Sequence, residues 1–337
     1  MLRSRKRAIG IALFLILPLA LAACSSTGGK KAAQAAQSGG TAAAAGHANT
    51  QQYTIAMITH AAPGDTFWDI IRHGALAAAA KDNITLKYSS DPDPTKQAAL
   101  IQDAINSKVA GIAVTDPNPA AICPTIQKAV SAGIPVVMFN AGVGNWQQCG
   151  GMEYFGQDES IAGLAAGKRL AAANAKHVLC VLQEQGQVQL EARCAGVQKG
   201  LGSATMTKLY VNGRDQSAVL SSLTAKLTQD KTIDSVITLG SPEALTAVQA
   251  IPAAHSTAKL YTFDTNAAEI AKIKSGAVQW AVDQQPYLQG YESVDSLWLY
   301  LTNANVIGGG QTVLTGPAFI DASNVAKVAQ YAAVGNR

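Results

Sequence analysis

Charge is scarce in this chain: of its 337 residues only 14% are Asp, Glu, Lys or Arg, against about 25% in an average soluble domain. Acids are wholly missing from residues 1–52. The first 24 residues carry Arg3, Arg5, Lys6 and Arg7, and the next stretch carries Lys30 and Lys31. Without these six the formal net charge of +4 falls to near −2 for the remainder. That balance excludes the basic patch or excess of a nucleic-acid binder. Long apolar runs are missing after residue 24. Nothing there approaches the ~18 residues of a membrane-spanning helix. His47, His60, His73, His177 and His255 show no metal-ligand spacing, and there is no C-x-x-C. There is no G-x-S-x-G nucleophile elbow. "GLAAGKR" has too few residues between its glycines and puts Arg where a P-loop needs Ser or Thr; "GVGNWQ" lacks the third glycine of a dinucleotide fingerprint. No catalysis, metal or cofactor is expected.

What the front does contain is an export signal. "MLRSRKRAIGIALFLILPLALAAC" sets four bases before an apolar core too short to span comfortably, and interrupts it with Pro18. Leu21-Ala22-Ala23-Cys24 resembles the lipobox of bacterial lipoproteins, which implies lipidation of Cys24 and a membrane anchor there. Residues 25–52 are small and polar, without a periodic apolar face or an aromatic, and read as a disordered tether. Four cysteines remain, an even number in an exported chain. Cys123 with Cys149 and Cys180 with Cys194 are the favoured pairs, since each pair falls within one βαβ region; buried free thiols are the alternative.

From residue 53 on, apolar runs alternate with Ala-rich helical stretches. "YTIAMITH", "ITLKYSSD", "GIAVTD" and "IPVVMFN" read as strands with helices between them. A second series follows: "HVLCVLQ", "TKLYVN", "SVITLG", "KLYTFD" and "VQWAVDQ". Strands and helices at this spacing imply βαβ units and parallel sheets. The pattern occurs twice, so an α/β fold of two similar doubly wound parallel-sheet lobes is expected. A ligand would sit where the carboxyl ends of both sheets face each other.

The order "FW" before a helix, "GIAVTDPNPAA", "GIPVVMFN", "YFGQDESIAGLAAGKRL", "EARCAGV", "VITLGSPEAL", "YTFDTN" and "IKSGAVQWAVDQQPYLQGY" resembles the type I periplasmic sugar-binding proteins, the ribose-binding-like branch above all. Related repressors begin with a helix-turn-helix, where this chain has a signal and tether. The resemblance implies a three-stranded hinge, with crossings near Gln157, Gln284 and Gly310. The lobes become 53–157 with 285–311, and 158–284 with 312–337. It implies the solute-binding lipoprotein of an ABC importer: a monomer that takes a monosaccharide or polyol and delivers it to a membrane permease and its ATPase. A nucleoside, a furanosyl signal molecule, or presentation of ligand to a sensor kinase are the alternatives.

Sugars need planar groups for their C–H faces and Asp, Asn, Gln or Arg for their hydroxyls. Phe67 and Trp68 stand together at a strand-to-helix corner. Helical neighbours point about 100° apart, so one can enter the core while the other faces the cleft. In the resembling family two aromatics here sandwich the ring. Asp65 fits a hydroxyl acceptor and a helix N-cap equally, and His60 fits a loop and a ligand contact equally. Asp116 and Asn140 each follow a strand; relatives often carry Asp at the place of Asn140 and Arg at that of Ala141. The resemblance further implies roles for Arg193, Asp264 and Gln284, with Asp283 as ligand contact or hinge. Gly240 stands where many relatives have Asn, and Ser241 is its possible replacement. Glu184, Gln185 and Gln187, after "HVLCVLQ", are candidates for further contacts, with a solvated loop the favoured reading of each.

Overall fold

A computed structural model describes residues 47–337. The leader, Cys24 and most of the tether expected from the sequence lie outside the described residues. The first lobe opens with β1 (Tyr53–Thr59), α1 (Thr66–Lys81), β2 (Ile84–Ser90), α2 (Pro94–Asn106), β3 (Gly111–Val114), α3 (Pro119–Ser131), β4 (Val136–Phe139) and β5 (Glu153–Gly156). The second runs α4 (Glu159–Ala172), β6 (His177–Leu182), α5 (Val188–Gly200), β7 (Thr205–Tyr210), α6 (Gln216–Gln229), β8 (Ser235–Thr238), α7 (Ser241–Ala253), β9 (Lys259–Phe263), α8 (Ala267–Lys274) and β10 (Trp280–Asp283). The chain then returns through α9 (Pro286–Asn303) and β11 (Val313–Leu314), and finishes with β12 (Ala318–Asp321) and α10 (Val325–Ala332).

Two six-stranded sheets result, ordered β11-β5-β4-β3-β1-β2 and β12-β10-β9-β8-β6-β7. Every pairing is parallel except β10 with β12. The strand period of two explains the layering. Ile55 and Met57 enter the core on one face of the first sheet with Phe139 and Phe155, while Ala56 and Ile58 enter the other with Ile112 and Met138. Central strands such as β3, β4 and β8 are buried along their whole length, as parallel strands covered on both faces must be. No helix among the described residues is long and apolar enough to cross a membrane.

Three crossings join the lobes: at Gln157 after β5, at Gln284–Gln285 after β10, and after β11. The third corrects the sequence expectation of Gly310. Val313 pairs with Phe155 and Leu314 with Gly156 in the first sheet, so the chain crosses at 315–317. A two-residue strand behind a glycine-rich turn leaves no periodic signal to read. Thr315 ties the three crossings together. Its N–H donates to Gly156 O at 2.8 Å, and its hydroxyl donates to Gln284 O at 2.7 Å. The tether also ends sooner than expected. Ala48 N–H donates to Lys81 O, and Thr50 accepts from Asn83 Nδ2 and Trp298 Nε1, so the last residues before β1 are held on the first lobe.

Helix pairs close at glycines. A Cβ at Gly163 in α4 would lie 2.3 Å from Arg193 O in α5, and one at Gly196 would lie 2.7 Å from Ser160 O. This close approach sets the α4 side chain of Glu159 against that of Arg193. Gly163→Ala should therefore destabilise the protein by about 1–3 kcal/mol, read as a lower urea midpoint. An unchanged midpoint would show that the helices can part without loss.

Candidate ligand-binding cleft

Between the lobes, at the carboxyl ends of β1, β4, β6, β8 and β9, lies a cavity of about 480 Å³, within the range of small-molecule sites. Seven of the nine sequence candidates line it: Asp65, Phe67, Trp68, Asn140, Arg193, Asp264 and Gln284. The corner at residues 65–68 resolves as a helix start. Asp65 caps α1 by accepting the Phe67 N–H at 3.1 Å, and burial holds its carboxyl above the ordinary range. Trp68 is buried in the core while still facing the cavity, and Phe67 packs edge-on against it with ring centroids 5.3 Å apart. His60 is buried too. Its ring meets Trp68 at 4.6 Å, shares a hydrogen bond with Thr115 at 2.8 Å, and is held neutral by burial, its pKa lowered to about 3.

The other residues form one polar relay. Gln157 Nε2 donates to Glu159 at 2.8 Å. Arg193 grips Glu159 with two hydrogen bonds, Nε to Oε2 at 2.6 Å and Nη2 to Oε1 at 3.0 Å. Its Nη1 donates to Leu239 O at 2.8 Å and reaches Asp264 at 3.4 Å. Gln284 Nε2 donates to the other oxygen of Asp264 at 2.6 Å. Gln284 Oε1 accepts from Asn140 Nδ2 at 3.1 Å and from Gln289 Nε2 at 3.0 Å. Gln289 also donates to Thr315 Oγ1 at 3.1 Å. Asn140 and Asp264 occupy matching places after β4 and β9, both with left-handed φ of 62° and 65°, a conformation Asn and Asp tolerate better than most residues. Burial pushes Asp264 up to about 6 even with Arg193 beside it. The relay thus includes residues from all three crossings, so a molecule bound on it touches the hinge directly.

Two candidates do not reach the cavity. Asp116 turns to Asn145, whose Nδ2 donates to it at 2.7 Å, and lies beside the Cys123–Cys149 pair. Burial raises its pKa to about 6. Asp283 accepts the Gln285 N–H at 2.7 Å and pairs with Arg337 at 2.7 Å, so one oxygen serves the turn at the second crossing and the other the last residue of the chain. In each case a side chain distant in sequence, Asn145 or Arg337, has taken one carboxylate oxygen. Other lining residues went unread. Gln189, Arg214, Gln216 and Glu243 all line the cavity, and so do Glu184 and Gln187, for which a contact was the less favoured reading. Each stands at the start of a helix or on the loop before it, and position after a strand was the available clue. The cysteines come together as Cys123 with Cys149 and Cys180 with Cys194, Cα atoms 5.2 and 6.1 Å apart, within bridging range.

Residues 55–305 match the periplasmic binding protein domain family. The chain belongs to that family. A carbohydrate transporter from Acidothermus cellulolyticus 11B, solved in complex with myo-inositol, is 62% identical, with a TM-score of 0.84 over 85% of this chain and 100% of that one. A solute-binding protein of an ABC transporter from Burkholderia graminis C4D1M, solved with D-arabinose, shares the fold at 20% identity and a TM-score of 0.73, over 81% of this chain and 96% of that one. Among curated proteins, a xylose/arabinose-binding protein from Sulfolobus acidocaldarius is 24% identical over 253 residues, 70% of this chain and 63% of that protein. The chain thus aligns with less than two thirds of that relative's length. The type I periplasmic binding fold expected from the eight ordered segments is the fold of this protein.

Proposed function

We propose that this protein is the extracytoplasmic solute-binding lipoprotein of an ABC importer and that it takes a cyclitol or a similar neutral polyol. The observation that carries the reading is the relay Arg193–Asp264–Gln284–Asn140, which presents donors and acceptors from both lobes to one cavity walled by Phe67 and Trp68. A polyol ring needs both kinds of group and an apolar face. Arg193 is neutralised by Glu159 and Asp264, which leaves little positive charge for a sugar acid or phosphate. The relative bound to myo-inositol, at 62% identity, favours a cyclitol over a pentose or nucleoside.

Ligand that touches both lobes only when they are closed stabilises closure by that difference. The closed form then docks on a permease driven by an ATPase, with Cys24 as lipid anchor. In the exported protein Cys180–Cys194 is a disulfide that fixes α5, and with it Arg193, on β6. Cys123–Cys149 is a second disulfide, holding the loop after β4.

Titration calorimetry of the full chain against myo-inositol, D-arabinose, D-glucose, D-ribose and adenosine tests the proposal. Myo-inositol should bind most tightly, and Trp68→Ala should weaken it at least tenfold, about 1.4 kcal/mol. Tighter binding of adenosine would replace the polyol by a nucleoside. Silence across the panel, with the fold intact, would sink the reading.

A further inference from the structure

Three acids line the same cavity but take no part in the relay. Asp65 starts α1 in the first lobe; Glu184 follows β6 and Glu243 sits in the first turn of α7, both in the second. Among the described residues none of the three has an ion-pair partner within 4.0 Å. Arg193 is committed to Glu159 and Asp264, and Arg214, the other arginine of the lining, is exposed.

Glu243 occupies a slot made by two glycines. A Cβ on Gly240 would lie 2.8 Å from its Oε2, and one on Gly213 would lie 3.0 Å from its Oε1. Thus the space freed by glycine at 240 holds a carboxyl group, which answers what stands there in place of an Asn. Gln216 donates to Oε1 at 3.1 Å, and the residue's own backbone N–H faces the carboxyl group. Burial raises Glu243 to about 7, and the charges of Asp65 and Glu184 push the same way. Glu184 is raised by burial and then by Asp65, against the charge of Arg214, which lowers it. The acids are therefore within electrostatic reach of each other across the cleft. Independent polar atoms in the same wall also lack partners. Ser241 is 4% exposed and Gln189 8% exposed, yet Ser241 Oγ and Gln189 Oε1 accept or donate no hydrogen bond.

We infer that the cleft takes a cyclitol or sugar carrying a protonated amino group, with its ring on the relay and its ammonium between Asp65 of one lobe and Glu184 and Glu243 of the other. The inference rests on the polyol reading for the ring and departs from it in giving one ring position a positive charge. Closing the lobes over a neutral ring brings Asp65 towards the carboxyl groups of Glu184 and Glu243, and the negative charge these still carry opposes closure. An ammonium turns that repulsion into attraction and offers three donors to three carboxyl groups. A hydroxyl at the same ring position cannot do this. The free Ser241 hydroxyl and Gln189 carbonyl remain for neighbouring ring substituents.

The test compares myo-inositol with its monoamino analogues, one for each ring position, and with their N-acetyl derivatives, by calorimetry on the full chain at pH 7. At least one amino analogue should bind ten times more tightly than myo-inositol, and N-acetylation should abolish the gain. Glu243→Gln and, separately, Glu184→Gln should each shrink the ratio to threefold or less; Glu184 lies on a loop, so its variant guards against a folding defect at Glu243. If myo-inositol binds and no amino analogue binds better, the inference falls and the polyol reading stands. A preference that survives both substitutions also overturns it. If neither ligand class binds the folded protein, both readings fall together.

Discussion

Arg193→Met should destabilise the protein by about 3–5 kcal/mol, the range for breaking one side of a buried ion pair, and should abolish ligand binding. Glu159 and Asp264 are 3% and 7% exposed, and the guanidinium answers both. Methionine fills much of the volume but leaves the Glu159 carboxylate with Gln157 as its remaining side-chain donor. Adding Glu159→Gln to Arg193→Met removes the stranded charge. The double variant should recover at least half of the lost stability, by urea unfolding, and none of the binding. A single variant that loses under 1 kcal/mol would show that the pair is not held as described. Recovery of binding in the double variant would remove Arg193 from the site.

Raising the pH from 5 to 8 should destabilise the fold by on the order of 3 kcal/mol through Glu269 alone, at ~1.36 kcal/mol per pKa unit. Glu269 is fully buried in α8, and neither carboxyl oxygen has a partner among the described residues. Burial, reinforced by the Asp264 charge, raises its pKa from 4.5 to about 8. In the unfolded chain the proton leaves near 4.5; in the folded chain it stays to about 8. Between these values the native state binds more protons, so stability falls as pH rises. Asp264, raised to about 6, and Glu243, raised to about 7, act in the same direction, which is why the comparison needs a variant. Glu269→Gln, measured by urea unfolding at pH 5 and pH 8, should gain about 3 kcal/mol on the wild type at the higher pH relative to the lower. Parallel behaviour of the two proteins would mean that Glu269 is ionised in the native state.

Much of the architecture was legible because it follows from local periodicity. The runs "GIAV" and "VVMF" are apolar throughout and "SVIT" has an apolar β-branched centre, and each became a strand buried on both faces. The corner at Phe67 and Trp68 was legible as a place where one ring enters the core, yet Trp68 does both things at once, in the core and on the cavity wall. The short β11 was not legible, since two apolar residues make no pattern. Glu243 was not legible either. As a first-turn acid of α7 it looks like an ordinary favourable charge near a helix N-terminus, and only the glycines at 213 and 240 turn it into the cleft.

Asp116, Asp264 and Asp283 show where the sequence stops. Each stands at or just past the end of a strand, and the sequence by itself determined that much: alternating apolar strands and helices, two lobes, and polar groups at the carboxyl ends of both sheets. Those features depend on neighbours along the chain. Tertiary structure alone decided that Asn145 takes Asp116, that Arg337 and the turn take Asp283, and that Asp264 meets Arg193 and Gln284 in the cavity. A carboxylate's role is set by the donors that reach it, and the side-chain donors here arrive from elements 20 to 71 residues away. Their distance in space follows from how the sheets stack and the lobes close, not from the order of residues.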